Sequence, residues 1–257
     1  MSAAVFDAGL SFDGAVRAVD FISDLHLGET MPATAAAWER YLGATRADVV
    51  FMLGDVFEVW VGDDARTRPF EAHCVSVIAA AVARGVRVWM QHGNRDFLLG
   101  ADFAAAAGVR LLADPARVDA FGRSLLLTHG DELCTEDVPY QLFRQQVRNP
   151  AYQAQFLAQP LEARLAIAAK MRAASRAGRD EPVTYADVDP ALAREWLARA
   201  GTDTMIHGHT HRPGTQVLDG WTRHVLTDWD LDAPGAGRAE VLRWTAAGLE
   251  RLRPEDA

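Results

Sequence analysis

Short apolar runs alternate with helical stretches through the first half of the chain. Ala18–Ser23, Asp48–Leu53 and Val86–Met90 are dense in Val, Phe, Ile and Met and read as strands, the second of them buried. Between them, Ala33–Thr45 and Phe70–Ala83 read as helices, the latter ending near Gly85, and Ala101–Ala107 is a short helix closed by Gly108. This alternation predicts an α/β layered fold with helices packed on a sheet.

From Val118 the pattern changes. Arg117–Ala120 and Ser124–Thr128 flank a Phe121-Gly122-Arg123 turn and read as a hairpin. Thr204–Ile206, Gln216–Leu218, His224–Thr227, Glu240–Trp244 and Leu249–Leu252 are further short strands. They are expected to form a second, largely antiparallel sheet that faces the first. Val138–Glu181 reads as helix, broken near Asn149-Pro150, Gln159-Pro160 and Gly178. Asp189 and Pro190 then supply an N-cap and a first-turn proline for a helix that ends at Gly201. The expected organisation is a short extension over residues 1–17 and one domain over 18–257, with a helical insertion at about 138–181. The sequence shows no internal repeat.

Composition narrows the function. At 49% hydrophobic and 24% charged over 257 residues, the chain is an ordinary globular protein. Its net charge of −9 argues against a nucleic-acid partner, since phosphate contacts need a positive surface. Cys74 and Cys134 form no CxxC, which excludes a thiolate zinc site and a disulfide framework and fits a reducing compartment. No stretch is apolar enough to span a membrane. Asp7 and Asp13 precede the first basic residue, Arg17, the reverse of a signal peptide, so a cytoplasmic location is expected.

The candidate chemistry lies at strand ends, where open α/β sheets bind ligands. Five strands end in polar clusters: Ser23-Asp24-Leu25-His26, Gly54-Asp55, Gly93-Asn94-Arg95-Asp96, His129-Gly130-Asp131 and Gly208-His209-Thr210-His211. Singly, Asp24 or Asp55 reads as a turn or cap residue. Together, these Asp, His and Asn side chains offer oxygen and nitrogen but no sulfur, a set suited to Mn²⁺, Fe²⁺, Zn²⁺ or Mg²⁺. In an extended Asp-x-His or His-x-His segment both side chains leave one face and reach one ion, and a carboxylate such as Asp55 bridges two.

The order of these clusters resembles the calcineurin-like metallophosphoesterases over nearly the whole chain. Within that superfamily the segments ISDLHL, LGDVFEVWVGDD, HGNRDFLLG, THGDELCTEDVPYQLFR and IHGHTHRP, and the MRAAS step, resemble the UDP-2,3-diacylglucosamine hydrolase family of lipid A synthesis. The resemblance implies a four-layer α/β/β/α sandwich with a helical cap and two divalent ions, expected to be Mn²⁺. Asp24, His26, Asp55 and His211 would hold the first ion, and Asp55, Asn94, His129 and His209 the second. Asp96 and Asp131 would orient these ligands. Substrate positions map onto Asn94, Arg95, Asp137, Tyr140, Arg172, Ser175 and His209. Arg179 and Pro182 stand where Asn and Lys are common in the family, and Arg176 or Arg179 would replace the lost charge. The implied reaction is attack at the α-phosphate of UDP-2,3-diacylglucosamine, releasing UMP and 2,3-diacylglucosamine 1-phosphate. The protein would act as a monomer, peripheral on the cytoplasmic face of the inner membrane.

Arg95 supports pyrophosphate cleavage on physical grounds. Many superfamily members carry His here, able to protonate a leaving alkoxide. Arginine does not give up its proton but stabilises phosphoryl charge, which suits a phosphate leaving group. The insertion adds a second clue. Arg144, Arg148, Arg164, Lys170, Arg172, Arg176 and Arg179 face one acid, Glu162, between Val138 and Arg179. With Leu161 and Leu165 sharing a face with the last arginines, it suits acyl chains together with a phosphate, or an anionic membrane surface. A phosphoprotein phosphatase conflicts with Arg95 and the cap, and a soluble nucleotide pyrophosphatase with the cap. A scaffold without activity conflicts with the complete ligand set, and a membrane adaptor would show no turnover. His92, His207 and Cys134 read as structural, His73 as surface or packing, and Glu58, Asp63 and Asp64 as solvated acids, although the resemblance also implies an acidic pair here. His224 has no evident partner.

Overall fold

A computed structural model describes residues 9–177, 186–235 and 237–257, with the side chains of residues 174–177 outside that description. The first sheet is built on β2 (Val19–Ile22), β3 (Val49–Leu53), β4 (Arg87–Gln91) and β5 (Arg110–Leu111), which pair in parallel in that order. β2 and β3 are buried at every position, as expected of parallel strands covered on both faces. Helices α1 (Pro32–Ala44), α2 (Pro69–Ala83) and α3 (Ala101–Ala107) connect them and lay Trp38, Leu42, Ile78 and Phe103 on one face of that sheet.

The second sheet runs β1 (Leu10–Ser11), β6 (Ala116–Ala120), β7 (Arg123–Leu127), β8 (Thr204–His207), β10 (Trp221–Val225) and β9 (Gly214–Leu218). It is mixed rather than largely antiparallel: β1–β6, β7–β8 and β8–β10 are parallel pairs, whereas β6–β7 and β9–β10 are antiparallel. β1 lies within the first 17 residues, so part of that stretch is woven into the sheet edge.

The strands near residues 240–252 correct the sequence expectation further. β11 (Val241–Thr245) and β12 (Gly248–Leu252) join the first sheet, with β11 antiparallel to β2. A buried clasp explains the choice. Asp20 on β2 accepts from Arg243 Nε at 2.7 Å and Nη2 at 2.8 Å, and from Tyr41 Oη at 2.9 Å. A buried carboxylate needs such partners, and β11 supplies the arginine.

Phe21, Val49, Phe51, Leu53 and Trp244 meet Val118, Leu125, Leu127 and Ile206 between the sheets. Helix α7 (Pro190–Ala200) covers the outer face of the second sheet through Trp196 and Leu197. Its cap is as the sequence predicts: Asp189 accepts from the backbone N–H groups of Ala191 and Leu192, and Gly201 is left-handed at φ 65°. The result is the expected four-layer α/β/β/α sandwich. The insertion forms α4 (Val138–Val147), α5 (Pro150–Leu157) and α6 (Leu161–Ala177), broken at the two predicted prolines.

Candidate active site and metal centre

β2, β3, β4, β7 and β8 all run into polar loops on one edge of the sandwich, where Asp24, Asp55, Asn94, His129 and His209 converge. Three bonds join the first two loops: the backbone N–H groups of Asp24, His26 and Leu27 donate to the carbonyls of Gly54, Asp55 and Val56. Glycine makes this packing possible. A Cβ on Gly93 would collide with Asp55, and one on Gly208 with Asp24 and Ser23. Asp96 accepts from the backbone N–H groups of Gly93 at 2.8 Å, Val56 at 2.8 Å and Asp55 at 3.3 Å, so it orders the loops and orients the ligand Asp55 through its backbone.

The Asp-x-His and His-x-His segments are not extended. Asp24, His26, Asp55, His209 and His211 all have φ between 48° and 62°. These left-handed conformations are costly for non-glycine residues and tend to mark functional sites. Alternate left-handed residues, rather than an extended strand, aim Asp24 with His26 and His209 with His211 into one centre.

The ligand atoms of Asp24, His26 and His211 lie within 4.8 Å of one another, as do those of Asp24, Asp55 and His129. Asp55 turns one oxygen to each side, Oδ2 at 3.9 Å from His26 Nε2 and Oδ1 at 3.8 Å from His129 Nε2. Asn94 Oδ1 lies 3.1 Å from His129 Nε2 and 3.0 Å from His209 Nδ1. All seven sequence-predicted metal ligands are therefore brought together.

The far nitrogens of three histidines are fixed by acceptors. His26 Nδ1 faces Glu58 Oε2 at 2.9 Å, His211 Nδ1 faces Asp228 Oδ2 at 3.2 Å, and His129 Nδ1 donates to the Leu53 carbonyl at 2.8 Å. A proton held there leaves each Nε2 lone pair aimed inward, toward Asp24, Asp55 and Asn94. The electrostatics show which charge the surrounding carboxylates favour at these positions. Burial alone would raise Asp24, but the surrounding His211, His129 and His26 hold it well below the usual carboxylate range. Burial opposes charge on His129 and His211, yet the nearby carboxylates push them up to about 9 and about 11. The pocket demands positive charge, and its all-N/O donor set fits divalent cations.

Beside these ligands opens a cavity of about 500 Å³. Its polar end carries Glu58, Asn94, Arg95, Arg172 and His209, and its walls include Trp60, Phe97, Leu98, Phe143, Phe156 and Met171. Arg95 donates its backbone N–H to Asp55 Oδ1 at 2.8 Å, while its Nε is buried with no protein partner among the described residues. Tyr140 and Asp137 also line the cavity. Asp137 caps α4, accepting from the Tyr140 backbone N–H at 3.1 Å. Tyr140 packs its ring 5.8 Å from that of His209 and gives its hydroxyl to Asp131. The side chain of Ser175, and residues Arg179 and Pro182, lie outside the described residues.

Among the described residues, four basic side chains of the cap face the body. Arg144 pairs with Asp131 at 2.9 Å and Glu132 at 2.8 Å, and Arg148 donates to the Gly93 carbonyl at 2.9 Å. Arg164 is buried on Asp64 and the Val61 carbonyl, and Arg172 pairs with Glu58. Asp131 thus anchors the cap instead of orienting a ligand. Glu58 and Asp64 are docking partners instead of solvated acids, and Asp63 accepts from the backbone N–H groups of Gly100 and Phe103 at 2.9 Å each.

His92 Nε2 donates to the Leu99 carbonyl at 2.8 Å, and His73 meets Glu39 at 3.0 Å on the surface. Neither takes part in the centre. His224 has a partner after all, Thr215 Oγ1 at 2.9 Å. Asp228 went unrecognised in the sequence, although Thr227-Asp228 follows a strand just as the other clusters do.

The calcineurin-like phosphoesterase family matches residues 18–213. A "UDP-2,3-diacylglucosamine hydrolase" of Stenotrophomonas maltophilia is 48% identical over 245 residues, covering 90% of this chain and 98% of that protein. One of Ralstonia nicotianae with the same name is 47% identical, covering 83% of this chain and 84% of that protein. Among solved structures, a cold-active protein-tyrosine phosphatase of Shewanella shares the fold, with TM-score 0.50, 13% identity, and coverage of 98% of this chain and 82% of that one.

Proposed function

Since the chain belongs to the UDP-2,3-diacylglucosamine hydrolase family of calcineurin-like phosphoesterases, we propose that it hydrolyses the pyrophosphate of UDP-2,3-diacylglucosamine at the α-phosphate. The products are UMP and 2,3-diacylglucosamine 1-phosphate. The observation that carries this reading is the single cavity that joins Asn94, Arg95 and His209 to the apolar walls of the cap. Such a space accepts a charged pyrophosphate and acyl chains in one ligand.

Family membership implies a dinuclear divalent metal centre, and we take the ions to be Mn²⁺, held by Asp24, His26, Asp55 and His211 and by Asp55, Asn94, His129 and His209. When bound, such a pair supplies a water of lowered pKa and a clamp on the oxygens of an in-line displacement. Asn94 orients the α-phosphate, and the free Nε of Arg95 donates to a phosphoryl oxygen. Arg172 holds the leaving phosphate, with Ser175 and Arg179 as further contacts. The leaving group is itself a phosphate and needs no proton. This agrees with the neighbouring groups: burial and Asp131 keep Tyr140 far above its ordinary pKa, and burial beside His129 lowers His209 to about 4.

The same reading includes a monomer on the cytoplasmic face of the inner membrane, with no nucleic-acid partner. Its support is apolar: Val138 and Leu142, one turn apart on α4, are 59% and 62% exposed. No helix of the described residues is long and apolar enough to cross a membrane.

Purified protein, with Mn²⁺ and again with EDTA, is to be given UDP-2,3-diacylglucosamine and a phosphomonoester in parallel. Metal-dependent release of UMP from the lipid substrate alone is expected. Cleavage of the monoester alone would leave a metal hydrolase but overturn the lipid assignment.

A further inference from the structure

Glu58 touches the metal centre and the cap at the same time. Its Oε2 lies 2.9 Å from Nδ1 of His26, and its Oε1 pairs with Nη2 of Arg172 on α6. Arg172 Nη1 also donates to the Glu58 backbone carbonyl at 2.6 Å. The loop cannot easily shift to separate these roles, because the Glu58 N–H donates to the Leu27 carbonyl at 3.0 Å, one residue beyond His26. Glu58 is only partly exposed, at 24%, so its charge is weakly screened.

We propose that Glu58 is a positioning residue that links the cap to the ion held by His26, with the ion and Arg172 competing for one carboxylate. The inference rests on the two-metal reading above. A carboxylate on the far nitrogen of a ligand histidine fixes its tautomer and raises its basicity. A guanidinium on the same carboxylate draws off part of that charge. The two cations therefore oppose each other through Glu58, and the linkage is reciprocal. Loading the ion weakens the hold on Arg172 and frees that guanidinium for a substrate phosphate. The cap arginine is thus parked on Glu58 until the centre is filled.

Opposite signs make the test specific. Metal-free protein is to be titrated with Mn²⁺ by calorimetry. Glu58→Ala is expected to weaken one of the two ions by about 10- to 100-fold, and Glu58→Gln, which keeps an acceptor, by less. Arg172→Ala is expected to tighten that same ion by about fivefold. Hydrogen exchange in α6 should quicken when Mn²⁺ is added to the unaltered protein, but not to Glu58→Ala. Two ions bound by the unaltered protein with the same affinities in Glu58→Ala, or weakened binding in Arg172→Ala, would overturn the linkage alone. Failure of the unaltered protein to bind any ion would overturn the two-metal reading and the linkage together.

Discussion

At Arg95 the backbone and the side chain serve different ends: the N–H fixes Asp55 at 2.8 Å, and the guanidinium faces the cavity. Substituting the side chain leaves the first contact intact. Arg95→Ala should lower kcat by about 10²- to 10³-fold, the cost of losing one oriented donor to a phosphoryl oxygen. The pH profile of kcat should keep its shape, because arginine does not titrate in this range. Loss of one limb of the profile in Arg95→Ala would show a proton-transfer role and contradict the account. The ligand types were legible in the sequence because Asp, His and Asn recur after strands. Their conformation was not: only the fold reveals that Asp24, His26, His209 and His211 are left-handed. Asp228 was illegible for a different reason, since a lone Asp after a strand reads as a turn.

The cap and the β9–β10 ribbon are elements held by specific side chains. Arg164 on α6 reaches the Val61 carbonyl, the Gln159 carbonyl and Asp64. Arg164→Ala should leave the sandwich folded but expose the cap to proteolysis and raise KM more than it lowers kcat. An unchanged cleavage pattern would contradict that role. On β10, burial and Arg251 lower His224 to about 4. The unfolded chain, with histidine near 6.5, then binds the extra proton first. This contribution to stability is present above about pH 6.5 and is lost as pH falls through about 4. The fall in Tm over that window should be smaller in His224→Gln, and equal falls would refute the assignment. Helix positions were readable from periodicity, prolines and caps, as at Asp189 and Gly201. The sheet membership of β11 was not, because the Asp20–Arg243 clasp joins residues at opposite ends of the chain.

The molecule as a whole concentrates its charge and its strain along one edge. Parallel strands of both sheets end there, two apolar layers hold them in register, and the cap leans over the result through Arg144, Arg164 and Arg172. In the sequence, the cap's net positive charge suits acyl chains together with a phosphate, or an anionic membrane surface. Among the described residues, Arg144, Arg164 and Arg172 meet Glu58, Asp64, Asp131 and Glu132 of the body, a pairing that composition cannot reveal. The proposed activity is a metal-dependent attack of water on the α-phosphorus of a nucleoside diphosphate lipid. Hydrolysis of UDP-2,3-diacylglucosamine in ¹⁸O-labelled water with Mn²⁺, read by mass spectrometry of both products, tests it most directly. One labelled oxygen in UMP, none in the sugar 1-phosphate, and no turnover with EDTA are expected. Label in the sugar 1-phosphate, or UMP release that survives EDTA, would contradict it.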